Sequence, residues 1–99
     1  MLRGFRTFHV YIMGSVGGVL YTGVTNNLPR RVAEHKSGEI PGFTGRYRVH
    51  RLLYCEEFVS IRDAIEQEKR IKSWTRAKRL ALIRTINPKF RDLSEESPD

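Results

Sequence analysis

The 99-residue chain contains a single cysteine, Cys55, which excludes an intrachain disulfide and a cysteine-rich zinc site. It has no apolar run of the length that a membrane span needs, and its N-terminal residues, M-L-R-G-F-R, lack the pattern of a signal peptide. A chain of this length forms one domain and leaves no room for a second. We therefore expect a soluble, cytoplasmic, single-domain protein.

Acidic residues are missing from the segment 69–91, which carries nine basic residues. Across the chain, 18 Lys and Arg residues outnumber 11 Asp and Glu residues, and the net charge is +7. Four of the acids lie at or after Asp92, so the body of the protein is more basic than the total implies. This charge favours a polyanion, nucleic acid above all, although a ribosome, an anionic membrane surface or a merely solvated surface would also fit.

Two short segments rich in aromatic and β-branched residues, 8–13 and 19–24, predict a β-hairpin. If its three-residue loop ends at Gly17 in the left-handed conformation, Tyr11 pairs with Tyr21. Paired residues share a face of the sheet, so both tyrosines would point the same way while the aliphatic residues face a core. The tyrosines would then either build a site or only stabilise the sheet.

A helix is predicted directly after the hairpin. Asn27 suits its N-cap, and Pro29 suits its first turn, where the missing N–H would have no partner anyway. Arg31 and His35 are four residues apart, so a cation and a titratable ring would lie on one helical face. Such a face suits a phosphate, and the alternative is a solvated helix that carries both residues without a role.

The segment 37–48 contains three glycines and a proline, which predicts a loop, and a third strand is predicted at 49–58. The loop alternates aromatic and basic side chains: Phe43, Arg46, Tyr47 and Arg48. Such side chains can stack on bases and pair with phosphates, as they do in single-strand binding surfaces. The alternative is that the aromatic residues simply pack under the loop.

Ser60 and Asp63 form a capping pattern that predicts a helix from Ser60 to Trp74. One acid, Glu68, falls within the apolar stripe of this helix, in an arc of about 120° shared with Ile61, Ala64, Ile65 and Ile71. A carboxylate that faces a core is costly unless it is paired, protonated or bound to a cation. Glu68 is therefore a candidate functional residue, and the alternative is a buried Glu–Arg pair.

A last helix is predicted after Thr75 and ends at Asn87. Asn87 could hold a ligand or close a turn, and composition favours the turn. The final residues are polar and acidic, which predicts disorder. We therefore expect one domain over residues 1–93 and a disordered acidic tail over 94–99.

Together, these motifs resemble the GIY-YIG nuclease domain. The resemblance lies in H-V-Y-I and L-Y-T-G, whose tyrosines are ten residues apart, followed by L-x-x-R-x-x-x-H and A-x-x-x-E-x-x-I-K-x-W. It covers about residues 8–93, and the closing N-P-x-x-x-D-L is similar to the small standalone members of the UPF0213 group. The chain departs from the family pattern at His9-Val10-Tyr11, in place of Gly-Ile-Tyr, and at Thr22, in place of isoleucine.

The resemblance implies an α+β fold, with a small three-stranded antiparallel sheet flanked by helices, and metal-dependent hydrolysis of phosphodiester bonds in DNA. The implied catalytic residues are Tyr11, Tyr21, Arg31, His35 and Glu68. Glu68 would also bind the cation, and since it is the only carboxylate at hand, a single Mg²⁺ or Mn²⁺ is expected. Arg31 would neutralise the phosphate, and Tyr11 would act as general base if Arg31 and the metal favour its phenolate. Tyr21 and His35 would orient the water or relay its proton.

We expect single-stranded or branched DNA to be preferred over intact duplex, because of the aromatic and basic loop around Tyr47 and because the small chain leaves no separate duplex-reading module. DNA repair is one of the pathways that the sequence leaves open. The predicted nucleic-acid contacts are Arg30, Lys36, Phe43, Arg46, Tyr47, Arg48, Lys72 and Asn87. The alternative function is a non-catalytic nucleic-acid-binding module of the same fold. A basic accessory protein of the ribosome would explain the charge but not Glu68.

Overall fold

The structure, a computed structural model, describes residues 7–39 and 48–95. The three strands in this part of the chain form one antiparallel sheet in the order β2-β1-β3. The described elements are β1 (Phe8–Gly14), β2 (Leu20–Thr25), α1 (Leu28–Ser37), β3 (Arg51–Phe58), α2 (Ile61–Lys72), α3 (Arg76–Ile86) and a 3-10 turn (Leu93–Glu95). The predicted α+β fold, a small three-stranded antiparallel sheet flanked by helices, is confirmed.

The central strand β1 divides the core into two layers. Val10 and Ile12 point to one face, which α2 and α3 cover, whereas Tyr11 and Met13 point to the other, where Val32 of α1 packs. The alternation of side chains along a strand explains this division. Because β2 lies at the edge of the sheet, α1 and α2 approach each other beside it from opposite faces.

The hairpin register differs from the prediction by two residues. Tyr11 pairs with Gly23, and Met13 pairs with Tyr21. The left-handed residue of the loop is Gly18, with φ of 97°, because the loop starts and ends one residue later than predicted. Moving the loop by one residue moves every pairing by two, so the predicted face of both tyrosines is unchanged.

Each of the three described α-helices begins at a polar residue that the sequence identifies as a cap. The side-chain oxygens of Asn27, Ser60 and Thr75 each accept a hydrogen bond, 3.2 Å long, from the backbone N–H three residues later. These bonds satisfy donors that a helix leaves unpaired at its first turn. No helix in the described ranges combines the length and the apolar character that crossing a membrane requires.

The apolar stripe of α2 is only half buried. Ala64 and Ile71 are fully enclosed in the core, as predicted, but Ile61 and Ile65 remain 47% and 36% exposed. The helix packs on the sheet with one side of the stripe, so the other side, which includes Glu68, lies at the edge of the core. The expectation that the whole stripe faces the core is therefore wrong.

The C-terminal segment is more ordered than predicted. Asp92 accepts hydrogen bonds from the backbone N–H groups of Leu52 and Ser94, each 3.1 Å long, which holds the 3-10 turn against β3. Ser94 and Glu95 belong to this turn, so the expectation of disorder from residue 94 onward is wrong for these two. Residues 96–99 lie outside the described part of the chain.

Candidate active site

Three rings meet on the sheet face that α1 covers. The ring centroid of His35 lies 5.5 Å from that of Tyr11 and 5.0 Å from that of Tyr21, and the two tyrosines are 6.3 Å apart. A buried hydrogen bond of 2.9 Å joins Oη of Tyr11 to Nε2 of His35. The structure thus brings together three of the five predicted catalytic residues, and the bond couples the protonation of Tyr11 to that of His35.

Gly23 allows Tyr11 to lie where it does. A Cβ atom added to Gly23 would lie 2.5 Å from Oη and 2.6 Å from Cζ of Tyr11, closer than atoms of these types can approach. Since Gly23 is the pairing partner of Tyr11, the tyrosine ring lies across the backbone of the edge strand. The absence of a side chain at Gly23 therefore leaves room for the Tyr11 hydroxyl over the edge strand.

Arg31 contributes a positive charge from the first turn of α1. Its Nη1 lies 3.3 Å from Oε1 of Glu34, and Nε of Arg30 lies 3.4 Å from Oε2 of the same carboxylate. Because the side chains of Arg31 and Arg30 are 40% and 75% exposed, these pairs are weak, and a phosphate can replace Glu34 as the partner of either guanidinium. The sequence interpretation missed Glu34, although its spacing of three and four residues from two arginines was a usable signal.

Glu68 approaches the cluster from α2. Its side chain is 13% exposed, and Oε2 lies 2.6 Å from Nζ of Lys72, one turn further along the same helix. The partner is therefore a half-exposed lysine and not a core arginine. The negative charges of Glu34 and Glu68 both act to raise the pKa of Tyr11, so both carboxylates lie within electrostatic reach of the phenol.

Burial governs the protonation of the two hydrogen-bonded rings. Burial and the neighbouring Tyr21 raise the pKa of Tyr11 above its ordinary value of 10, and the positive charge of Arg31 offsets only part of this rise. Burial and Arg31 lower the pKa of His35 from 6.5 to about 4. At neutral pH, Tyr11 is therefore a phenol and His35 a neutral imidazole, and Arg31 alone does not favour the phenolate.

The donor set suits a cation held by few protein ligands. Across residues 7–39 and 48–95, no group of three or more His, Cys, Asp or Glu side chains is arranged to hold a metal ion. A divalent cation at Glu68 would take most of its ligands from water and phosphate oxygens, which is the usual mode of Mg²⁺ at phosphate sites. Lys72 would give up its contact with Glu68, and its side chain, 52% exposed, is free to turn into solvent.

The residues predicted to contact nucleic acid lie in different parts of the structure. Phe43, Arg46 and Tyr47 lie outside the described residues. Arg30 and Lys72 flank the site, where they pair with its two carboxylates. Arg48 lies at the hairpin end of the sheet, where it lines a groove of about 530 Å³ together with two other basic residues, His50 and Arg51, and residues of the hairpin loop.

Two of the predicted contacts are engaged within the protein. Nζ of Lys36 lies 2.6 Å from Asp92 and 3.5 Å from Glu95, which ties α1 to the C-terminal turn. Asn87 is 4% exposed, and its amide donates to the backbone oxygens of Leu53 and Arg91 and accepts from the N–H of Arg91. Asn87 thus closes the turn after α3, and its amide is not presented to nucleic acid.

Comparison with known proteins agrees with this architecture. A family model described as the GIY-YIG catalytic domain matches residues 7–81. A UPF0213 protein of Bacillus pumilus is 39% identical over 71 residues, 72% of each chain, and one of Natronomonas pharaonis is 40% identical over 75 residues, 76% of this chain and 88% of the relative. The solution NMR structure of a UPF0213 protein from Bacillus halodurans is similar over 94% of this chain and 99% of that one, with 27% identity and a TM-score of 0.57.

Proposed function

We propose that this chain, which belongs to the GIY-YIG family and within it to the UPF0213 group, is a metal-dependent nuclease that hydrolyses phosphodiester bonds in DNA. Domains of this family are generally nucleases. The observation that carries the proposal is the convergence of three elements on one edge of the sheet: β1 supplies Tyr11, α1 supplies Arg31 and His35, and α2 supplies Glu68.

Arg31 would bind the scissile phosphate. Its guanidinium offers a planar fork of donors that matches two phosphoryl oxygens, and its present contact with Glu34, 3.3 Å long and open to solvent on the Arg31 side, is weak enough to be displaced. Arg30, on the same turn, would take a neighbouring phosphate. In the absence of DNA, Glu34 keeps both guanidinium groups beside the site.

Tyr11 would orient and deprotonate the attacking water. It would do so as the phenolate, whose oxygen takes a proton from the water while Nε2–H of His35 donates a hydrogen bond to the same oxygen. Tyr21 packs against the His35 ring and restrains its orientation. Because His35 is neutral at pH 7, it carries one ring proton, and the tautomer with that proton on Nε2 can donate this hydrogen bond throughout the physiological range.

Glu68 would hold the divalent cation, Mg²⁺ or Mn²⁺. When bound, the cation supplies positive charge against the phosphoryl oxygens and the leaving oxygen, and it favours the ionised form of the nearby phenol.

The proposed substrate is single-stranded or branched DNA. The proposed setting is the cytoplasm, with DNA repair as one pathway, since a single cysteine suits a reducing compartment.

The experiment that tests this proposal compares Glu68→Gln with Glu66→Gln, which changes an exposed carboxylate on the same helix. Labelled single-stranded and duplex DNA are incubated with each protein in Mg²⁺, Mn²⁺ or EDTA. We expect cleavage that requires the cation, falls at least about 100-fold in Glu68→Gln and persists in Glu66→Gln. A cleavage rate that neither EDTA nor the Glu68→Gln substitution changes would contradict the site assignment.

One observation favours the alternative of a non-catalytic nucleic-acid-binding module: Lys72 occupies the carboxylate that would bind the cation. The same assay decides between the two functions. DNA binding without cleavage in any cation, with equal affinity for the wild type and Glu68→Gln, would support the binding module.

A further inference from the structure

Two isoleucines on α2 are exposed where a core stripe is expected. Ile61 is 47% and Ile65 is 36% exposed, and they share their helical face with Glu68. Both line a groove of about 260 Å³ beside the edge strand, together with Phe8 and Val24. The protein thus keeps an apolar groove open next to the proposed active site.

The opposite wall of this groove is polar. It consists of Thr25, Asn26 and Arg31, at the passage from β2 into α1. Arg31 therefore lines the groove and also belongs to the proposed phosphate site. Asn26 is exposed at the rim, where its amide can donate to or accept from the edge of a ligand.

The groove runs along α2 from the proposed cation site toward the N-terminus of the helix. With a rise of 1.5 Å per residue, the Cα atoms of Ile65 and Ile61 lie about 4.5 Å and 10 Å along the helix axis from that of Glu68. A group bound between the isoleucines and Arg31 is therefore about one nucleotide away from a phosphate held between Arg31 and Glu68.

We propose that this groove receives one unpaired nucleobase of the substrate, adjacent to the scissile phosphate, and so selects DNA with an unstacked base. The inference rests on the proposed nuclease function. A nucleobase has flat apolar faces that fit between aliphatic side chains, and polar edges that Asn26 can meet. A base inside an intact duplex is stacked and paired, so its faces cannot enter the groove without being extruded.

Two features favour a nucleobase over a second protein chain as the occupant. A stable protein interface buries about 800 Å² on each partner, far more than two half-exposed isoleucines supply. In addition, the rim carries the positive charge of Arg31 and, next to it, that of Arg30, which attracts the phosphates on either side of a base.

The test uses Ile65→Ser, with Ile86→Ser as a matched control because Ile86 is also exposed, at 50%, but lies on α3. Single-stranded DNA that carries 2-aminopurine is titrated with each variant in the Glu68→Gln background, so that binding is measured without cleavage. We expect Ile65→Ser to weaken binding about tenfold and to remove the fluorescence change of the buried base, while Ile86→Ser leaves both unchanged. Circular dichroism verifies that both variants are folded.

Cleavage is then measured with Glu68 intact. We expect Ile65→Ser to lower kcat/KM about tenfold on single-stranded DNA and to leave cleavage of duplex unchanged. Equal effects on both substrates, or no effect, would overturn the inference. A wild-type dimer that Ile65→Ser converts to a monomer in sedimentation would also overturn it, since the groove would then bind protein. If no protein cleaves DNA but the 2-aminopurine signal depends on Ile65, the nuclease proposal fails and the base groove stands.

Discussion

Gly23 lies so close to Tyr11 that a methyl group on the glycine would stand 2.5 Å from the phenol oxygen. The two residues are direct partners in the β1–β2 ladder, so neither backbone can move away without breaking the sheet. The ring of Tyr11 would have to move instead, and its hydrogen bond with His35 would move with it. The glycine is therefore a positioning residue for the proposed active site.

The substitution Gly23→Ala should reduce DNA cleavage at least about 100-fold while the fold is retained, because a misplaced reacting group is costly to catalysis. The measurement is single-turnover cleavage, with circular dichroism as a check of folding. Gly17→Ala is the matched control, since the nearest atom to its added Cβ is 3.8 Å away. Full activity in Gly23→Ala would show that Tyr11 does not need its present position.

The cleavage rate should rise with pH if Tyr11 acts as the general base. Burial and Tyr21 raise the pKa of Tyr11 above 10, so near neutrality its ionised fraction grows about tenfold for each pH unit. We expect the logarithm of the single-turnover rate to increase with a slope near 1 above pH 7, and to be low and flat in Tyr11→Phe. A rate that already levels off near pH 6.5 would instead indicate a group of ordinary histidine pKa.

The stability of the fold should fall in mild acid because of His35. Its pKa is lowered from 6.5 to about 4 by burial and Arg31, so below pH 6.5 the unfolded chain binds a proton that the folded protein does not. The contribution of His35 to the free energy of unfolding is thus complete above pH 6.5. It decreases by at most about 3 kcal/mol as the pH falls to about 4. Urea unfolding at several pH values measures it.

Two variants separate this effect from that of other groups. His35→Gln should remove the loss of stability between pH 6.5 and 4, whereas His50→Gln, at an exposed position, should retain it. A wild type and a His35→Gln variant with parallel pH curves would contradict the assignment.

The C-terminal turn should depend on Asp92 far more than on Glu95. Asp92 is 12% exposed and binds Lys36 at 2.6 Å, and it also accepts bonds from Leu52 and Ser94. Asp92→Ala should lower the free energy of unfolding by about 2–4 kcal/mol, since it leaves Lys36 with only its 3.5 Å contact to Glu95 and removes the acceptor of two backbone N–H groups. Glu95→Ala should change it by less than about 1 kcal/mol, because Glu95 is 74% exposed and 3.5 Å from Lys36. Chemical denaturation measures both, and equal effects would contradict the distinction.

The parts of the site that follow from local rules were predictable. Asn27 caps α1, and the spacing of four residues places Arg31 and His35 on one side of that helix. Strand alternation placed both tyrosines on one face even though the predicted register was off by two residues. Glu68 was recognisable because an acid within an apolar stripe is costly in a core.

Other parts depend on which sides of the elements are packed, and periodicity does not reveal this. Helical spacing assigns Ile61 and Ile65 to the same stripe as Ala64. In the fold Ala64 is fully buried, whereas both isoleucines remain partly exposed. Glu34 is an ordinary exposed-face acid in the sequence and joins the site only because the helix lies beside β2. Asn87 is equally ambiguous in the sequence, and only the fold brings the backbone oxygens of Leu53 and Arg91 to its amide.

The sequence by itself determined the local features of the protein: a basic composition, capped helices, a two-tyrosine hairpin and a glutamate within an apolar stripe, because these features depend on neighbours along the chain. Only the tertiary structure decided the chemical state of the site. The direction of the pKa shifts of Tyr11 and His35 follows from burial and from charges on other elements, which come together only when α1 and α2 meet beside the edge strand.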